Sequence, residues 1–209
     1  MDKIKVIKIA HCSHSFFLGE GEKELKKLVL NDWYAKFSIQ IKKFYSEIEV
    51  ECWAPERLNK KEEEYTEGGV KFRFFPVTFS PVYGLDFSIP MLKELNKEIQ
   101  KSKNKYKLII HVHEIHNLHG LFIVSLFGKE KIFVQHHGGS WPLKHLKKTK
   151  RYKLFFPFFM LAQIWENLAL RNVSVFYGLS KDEIDYLKEK SPEAEIRFQT
   201  MGIENEYFE

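Results

Sequence analysis

Cysteine is almost missing from this chain: Cys12 and Cys52 are the only two in 209 residues. Both follow segments that read as strands, so packing is their expected role, and reduced thiols suit a cytosolic setting. No apolar run reaches the roughly 20 residues that a membrane-spanning helix requires. The nearest, Leu154 to Ile164, is too short and contains Pro157. A signal-peptide pattern is also lacking, because Met1-Asp2-Lys3 leads straight into IKVIKIA without a long apolar core or a cleavage site. The expected location is therefore cytoplasmic. Phosphate-cradling glycine loops are absent as well. Gly19-Glu20-Gly21 has no third glycine and stands too far beyond its strand for a tight strand-to-helix turn. The charge excess is small, a net +5 scattered along the chain, which is too little for nucleic acid but compatible with phosphates, nucleotide sugars or acidic lipid.

What is present is alternation of strand and helix signals. Strands are predicted over residues 3–10, 48–53 (stopped by Pro55), 70–77, 108–113, 132–135, 173–177 and 195–200. Helices are predicted from about Trp33 to Tyr45 behind an Asn31-Asp32 cap, over Ile89 to Ile99 with Pro90 in the first turn, and from Asn117 to Phe127. Two more follow, one ending near Arg171 and one opened by Lys181-Asp182-Glu183. The charged stretch Glu56 to Glu67 reads as a solvated loop or short exposed helix. Strands separated by helices require crossover connections. The expected fold is a doubly wound, Rossmann-like α/β domain over residues 1–209. Its mainly parallel sheet has about seven strands, with helices on both faces.

Four of the nine histidines fall between His111 and His119, at the end of the strand through KLIIHVHEIH. Period two puts His111 and His113 on one face. Carboxyl ends of parallel strands are where open α/β sheets bind ligands. One expectation is a metal-dependent hydrolase using His111, His113 and His116, after the HxHxDH pattern of metallo-β-lactamase-type enzymes. Against it, Ile115 occupies the aspartate position, and HExxH, CxxC and a downstream ligand series are all absent. The other expectation is a polar cleft without metal. His137-Gly138-Gly139 supports it, with a histidine at a strand end followed by backbone that a ligand can approach closely. His136, next to it, is expected on the opposite face and in the core.

Four segments resemble glycosyltransferase family 4. IFVQHHGGSW looks like that family's VVVTLHGGD, and KLIIHVHEIH looks like DVIHVHG with Lys107 at the aspartate. LALRNVSVFYGLSKDEIDYL is similar to LLRRADAVIAVSEALRDYL, which puts Ser180 at the family's serine, and EIRFQTMGIENEYFE resembles KIRVIPNGVDLERFR. The match covers about Lys107 to Glu209. It departs where PNG becomes Thr200-Met201-Gly202, where the aspartate becomes Glu204, and where the first loop lacks a compact Gly-Gly turn.

The resemblance implies a GT-B architecture, with this chain as the amino-terminal, acceptor-side domain and a donor-binding domain beyond Glu209. It implies retaining transfer of a sugar from a nucleotide sugar to an acceptor hydroxyl, with no cofactor and no metal, the nucleotide sugar being substrate. The same resemblance makes His137 the residue facing the reacting sugar. His113, Gly138, Gly139 and Ser180, with His11, His14 and Glu114, would line the cleft. A non-catalytic binding domain is the remaining alternative. Lys144 to Trp165, basic and then aromatic, suits either a membrane interface near a lipid-linked acceptor or a core-facing amphipathic helix with a solvated approach.

Overall fold

A computed structural model of the chain describes residues 3–10, 29–81, 85–128, 132–136 and 153–198. Among them is one eight-stranded sheet. In chain order the elements are β1 (Ile4–Ile9), α1 (Trp33–Phe44), β2 (Glu49–Glu56), β3 (Glu63–Glu67), β4 (Val70–Pro76), α2 (Ile89–Ser102) and β5 (Lys107–His113). Then come α3 (Leu118–Phe127), β6 (Ile132–His136), α4 (Phe156–Ala169), a 3-10 turn (Leu170–Asn172), β7 (Val175–Gly178), α5 (Lys181–Lys190) and β8 (Glu195–Phe198).

The strand order is β3-β4-β2-β1-β5-β6-β7-β8, and every pairing is parallel except β3 with β4. Chain order runs outward to one edge through β2 and β4, then returns to β5 and runs outward to the other. The order therefore reverses between β1 and β5, the position where a doubly wound sheet opens a crevice at its carboxyl ends.

Burial on both faces explains the near-continuous apolar strands. In β2, Cys52 and Ala54 join one core cluster with Tyr34 and Ala35 of α1. Trp53, between them, joins the other, which also holds Met91 and Leu95 of α2, Leu121 of α3, Phe159 of α4 and Leu187 of α5. Caps fall where small polar residues predict them: Asp32 accepts from Tyr34 N, Ser88 from Met91 N, and Asn117 from Gly120 N.

Two sequence expectations need correction. Strand β2 does not stop at Pro55 but continues to Glu56. Its ladder to β1 ends where Ala10 N donates to Trp53 O. Pro55, two residues on, turns its missing N–H to the side where β1 has finished, so no ladder bond is lost. The Glu56–Glu67 stretch is not all loop either, since Glu63–Glu67 pairs antiparallel with β4 as the edge strand. Its two-residue turn, Gly68-Gly69, has φ of 57° and 76°, the conformation that matches hairpin twist. Tyr65 stacks on Phe72 at 5.0 Å, and charged neighbours line the open edge.

At the amino end of β1, Lys5 Nζ meets Glu51 at 2.7 Å and Glu98 at 2.8 Å. Arg73 binds Glu94 at 3.2 Å and lies 4.8 Å over the Trp53 ring. The buried cations here are matched by carboxylates, and Glu98 and Glu94 among them anchor α2 to the sheet.

Candidate functional site

Strand β5 ends at His113, and the chain then leaves the sheet through Glu114 at φ 67°, the only described residue other than glycine with a positive φ. A left-handed glutamate is strained, and such strain persists only where the surroundings impose it. Here they do. Glu114 N donates to Gln135 O of β6 at 2.8 Å, and Asn117 Nδ2 donates to Glu114 O at 2.9 Å. Gly120 completes the clamp, because a Cβ there would lie 2.7 Å from Glu114 O.

The turn aims the carboxylate back at the sheet end. Glu114 Oε1 accepts from Ile115 N at 2.8 Å and from His116 N at 3.2 Å. It also lies 2.8 Å from His116 Nδ1 and 3.1 Å from His136 Nδ1, the last residue of β6. His116 Nε2 in turn is 3.2 Å from Glu166 of α4, and the Tyr186 hydroxyl of α5 donates to that same carboxylate at 2.5 Å. Five side chains from β5–α3, β6, α4 and α5 thus form one buried polar network at the carboxyl edge of the sheet.

Electrostatics follow from that geometry. Burial by itself would push the Glu114 carboxyl up, but hydrogen bonds from His116 and His136 outweigh it and hold the group well below the carboxylate range. For His116, burial works toward the neutral ring. Glu114 and Glu166, one on each ring nitrogen, win and raise it to about 9. The imidazolium is the form that donates to both carboxylates. Burial and then the Glu166 hydrogen bond drive the Tyr186 phenol upward, so it stays a donor at neutral pH.

Among the described residues, Glu114, His116 and His136 are the group able to hold a metal ion, their ligand atoms lying within 4.8 Å of one another. A His₂Glu set is a known zinc ligand combination, and a carboxylate on the far nitrogen of a ligand histidine is the usual outer partner. This is not the histidine trio expected from sequence. His116 belongs to both, but His111 and His113 lie elsewhere, their rings 4.3 Å apart. To bind metal, the set would have to give up the two imidazole hydrogen bonds now made to Glu114.

The sequence-derived cleft residues divide into three groups. His113 is buried, with its ring edge-on to Tyr34 of α1 at 5.8 Å, on the opposite side of the sheet from the network. Glu114 sits at the centre of the network. Ser180 caps α5: its Oγ accepts from Glu183 N, and the Glu183 carboxylate accepts from Ser180 N at 3.3 Å, a complete capping box, and also from Leu179 N at 2.6 Å. His11, His14, His137, Gly138 and Gly139 lie outside the described residues. His136 is buried as expected, but in a polar cluster and not among apolar side chains.

His119 was not singled out as a site residue, and it is structural. Its Nε2 lies 2.7 Å from Ala10 O, so α3 is tied to the end of β1 across the switch point. The sequence reading also passed over Glu166 and Tyr186. A usable signal existed for the first: Glu166 is the single charge in the apolar helix Phe156–Ala169, and a lone carboxylate there must be paired if buried.

No protein-family model matches the chain, and no curated protein matches it. Solved structures do. Sucrose-phosphate synthase from Thermosynechococcus elongatus is similar over 97% of this chain, with a TM-score of 0.51 and 12% identity. A second solved chain of that synthase, from a twinned crystal, matches over 98% of this chain and 92% of its own length at 13% identity and a TM-score of 0.47. This chain spans about half, 49%, of the first synthase chain. At such identity the likeness is one of fold: the chain has the mainly parallel α/β architecture found in a GT-B glycosyltransferase.

Proposed function

We propose that this chain is the acceptor-side domain of a retaining glycosyltransferase, transferring a sugar from a nucleotide-sugar donor to an acceptor hydroxyl. The observation that carries the reading is the buried tie between the ends of β5 and β6 beside the switch point. Glu114, His116 and His136 fix the last position before His137, the residue that the family 4 resemblance puts against the reacting sugar. A site that works by positioning needs that kind of rigidity one residue behind the working group.

In the proposed reaction the bond from the anomeric carbon to the diphosphate oxygen breaks. A bond from that carbon to the acceptor oxygen forms on the same face, and the acceptor proton leaves with the diphosphate. His137 would hydrogen-bond the sugar as positive charge develops on it, with Gly138 and Gly139 allowing close approach. His11, His14 and Ser180 are the other proposed lining residues. The donor diphosphate and its sugar would be held largely by residues beyond this chain, so transfer is expected of the complete gene product. The test is to incubate that product with a panel of nucleotide sugars and follow nucleoside diphosphate release and glycosylated product. Turnover of one donor with retained configuration supports the reading, and no turnover of any donor defeats it.

The convergence of Glu114, His116 and His136 favours one second reading, a metal-dependent hydrolase. Metal analysis of protein purified without chelator separates the two: stoichiometric zinc lost on Glu114→Gln or His136→Gln would favour the hydrolase.

A further inference from the structure

Helix α4 has two unlike faces. Its buried side holds Phe159, Ala162, Ala169 and Glu166, the carboxylate on His116. Along the other side Leu161, Ile164 and Leu168 are 64%, 60% and 59% exposed, with Phe158 at 55% and Leu154, just before the helix, at 73%. Spacings of three and four residues align these side chains in one stripe. Fourteen residues make a helix about 21 Å long, and the stripe runs its full length. Gln163 and Asn167 are the only exposed polar residues on it. Soluble monomers seldom leave so large a contiguous apolar patch open to water.

Charge indicates what covers it. Between Glu130 and Glu166 the sequence has no Asp or Glu, and Glu166 is itself buried. In sequence six cations, Lys144, Lys147, Lys148, Lys150, Arg151 and Lys153, precede the helix within ten residues, the last of them adjoining Leu154. An aliphatic and aromatic stripe that follows a run of cations in sequence, with no acid to balance them, complements a surface apolar within and anionic at its boundary. A second copy seated on the same stripe would bring no carboxylate from this stretch to meet them. Among the described residues no helix is long and apolar enough to cross a membrane, so α4 can lie on a bilayer but not span it.

We propose that the Leu154–Leu168 face of α4 docks on an anionic lipid surface, with the helix in the plane of the interface. If the transferase reading above holds, on which this further step rests, the acceptor class is a hydroxyl carried by a membrane lipid. The helix that touches the bilayer carries Glu166 of the candidate site on its other side, one helix diameter of about 10 Å away.

Flotation of the full chain with vesicles tests the docking without reference to any activity. At low salt the protein should float with phosphatidylcholine–phosphatidylglycerol vesicles at least tenfold more than with phosphatidylcholine alone, and added salt should release it. Leu161→Glu with Ile164→Glu, and separately Leu168→Glu, should abolish flotation while the circular dichroism melt stays unchanged. A wild-type protein that remains unbound to anionic vesicles at low salt overturns the proposal. So does a lipid-free dimer, seen by light scattering, that the double substitution splits, since the stripe would then be covered by a second copy. Wild-type protein that transfers sugar to a soluble acceptor but does not float with anionic vesicles at low salt would remove this inference and leave the transferase reading standing.

Discussion

Glu114 Oε1 and His136 Nδ1 stand 3.1 Å apart, joining the carboxyl ends of two adjacent strands across 22 residues of sequence. The same oxygen takes His116 Nδ1 at 2.8 Å, so one buried carboxylate fixes both histidines. Glu114→Gln keeps the shape but removes the charge that the His116 imidazolium needs. Breaking a buried pair from one side costs about 3–5 kcal/mol. Denaturant unfolding should show a loss of that order, and the His116 titration, followed by NMR, should fall from about 9 toward or below the ordinary value near 6.5.

The raised His116 titration also sets a pH dependence. Its folded value lies above the unfolded one, so the ion pairs contribute in full below about pH 6.5, and their contribution is lost as pH rises through about 9. The difference in melting temperature between wild type and His116→Gln should therefore shrink between those limits. A difference that stays constant from pH 6 to 9.5 would show that His116 does not titrate in this window. The Glu114 carboxyl, held well below its usual range, contributes above about pH 4.5 and loses that contribution only in stronger acid.

Lys8 carries the opposite sign. It is fully buried on β1, with Nζ 3.3 Å from Tyr34 O and 4.6 Å over the Phe37 ring. Burial lowers it to about 8, so folding at neutral pH carries the desolvation of an ammonium. Lys8→Met should stabilise the protein by about 1–2 kcal/mol below pH 8. The gain should fade as pH rises from about 8 through the unfolded lysine value near 10.4. Thermal melts at pH 7 and pH 10 check both points.

Gly120 sits against the left-handed turn, where a Cβ would lie 2.7 Å from Glu114 O and 2.8 Å from Asn117 Oδ1. Gly120→Ala is the standard helix-favouring exchange, yet here it should destabilise by about 1–3 kcal/mol, the range for overpacking. It should also move the His116 and His136 ring resonances. A neutral or stabilising result would mean that the turn yields freely and does not hold the network.

Much of the fold could be read in the residues, and the reason is local. Val and Ile runs, the Asp32, Ser88 and Asn117 caps and Pro90 each act over a few residues, so helices and parallel strands declare themselves. Edge strand β3 was obscured because EEYTE has a single apolar residue, and its pairing rests on the Gly68-Gly69 turn and the Tyr65 stack. The histidine-rich end of β5 was recognisable as the place for chemistry. Which groups meet there was not, because it depends on one backbone angle. If β5 had continued, Glu114 would have pointed to the opposite face from His113 and His111. At φ 67° it turns to His116 and His136, and it recruits Glu166 from a helix 52 residues later.

The central claim is that the network serves a sugar-transferring histidine at the next position. The most direct measurement is steady-state transfer by the complete gene product with and without His137→Ala, at the same donor and acceptor concentrations and with matched melting curves. The account predicts that kcat falls about 100-fold or more, the usual scale for losing a positioned proton-transfer or charge-stabilising group. An unchanged kcat in the folded variant would contradict it.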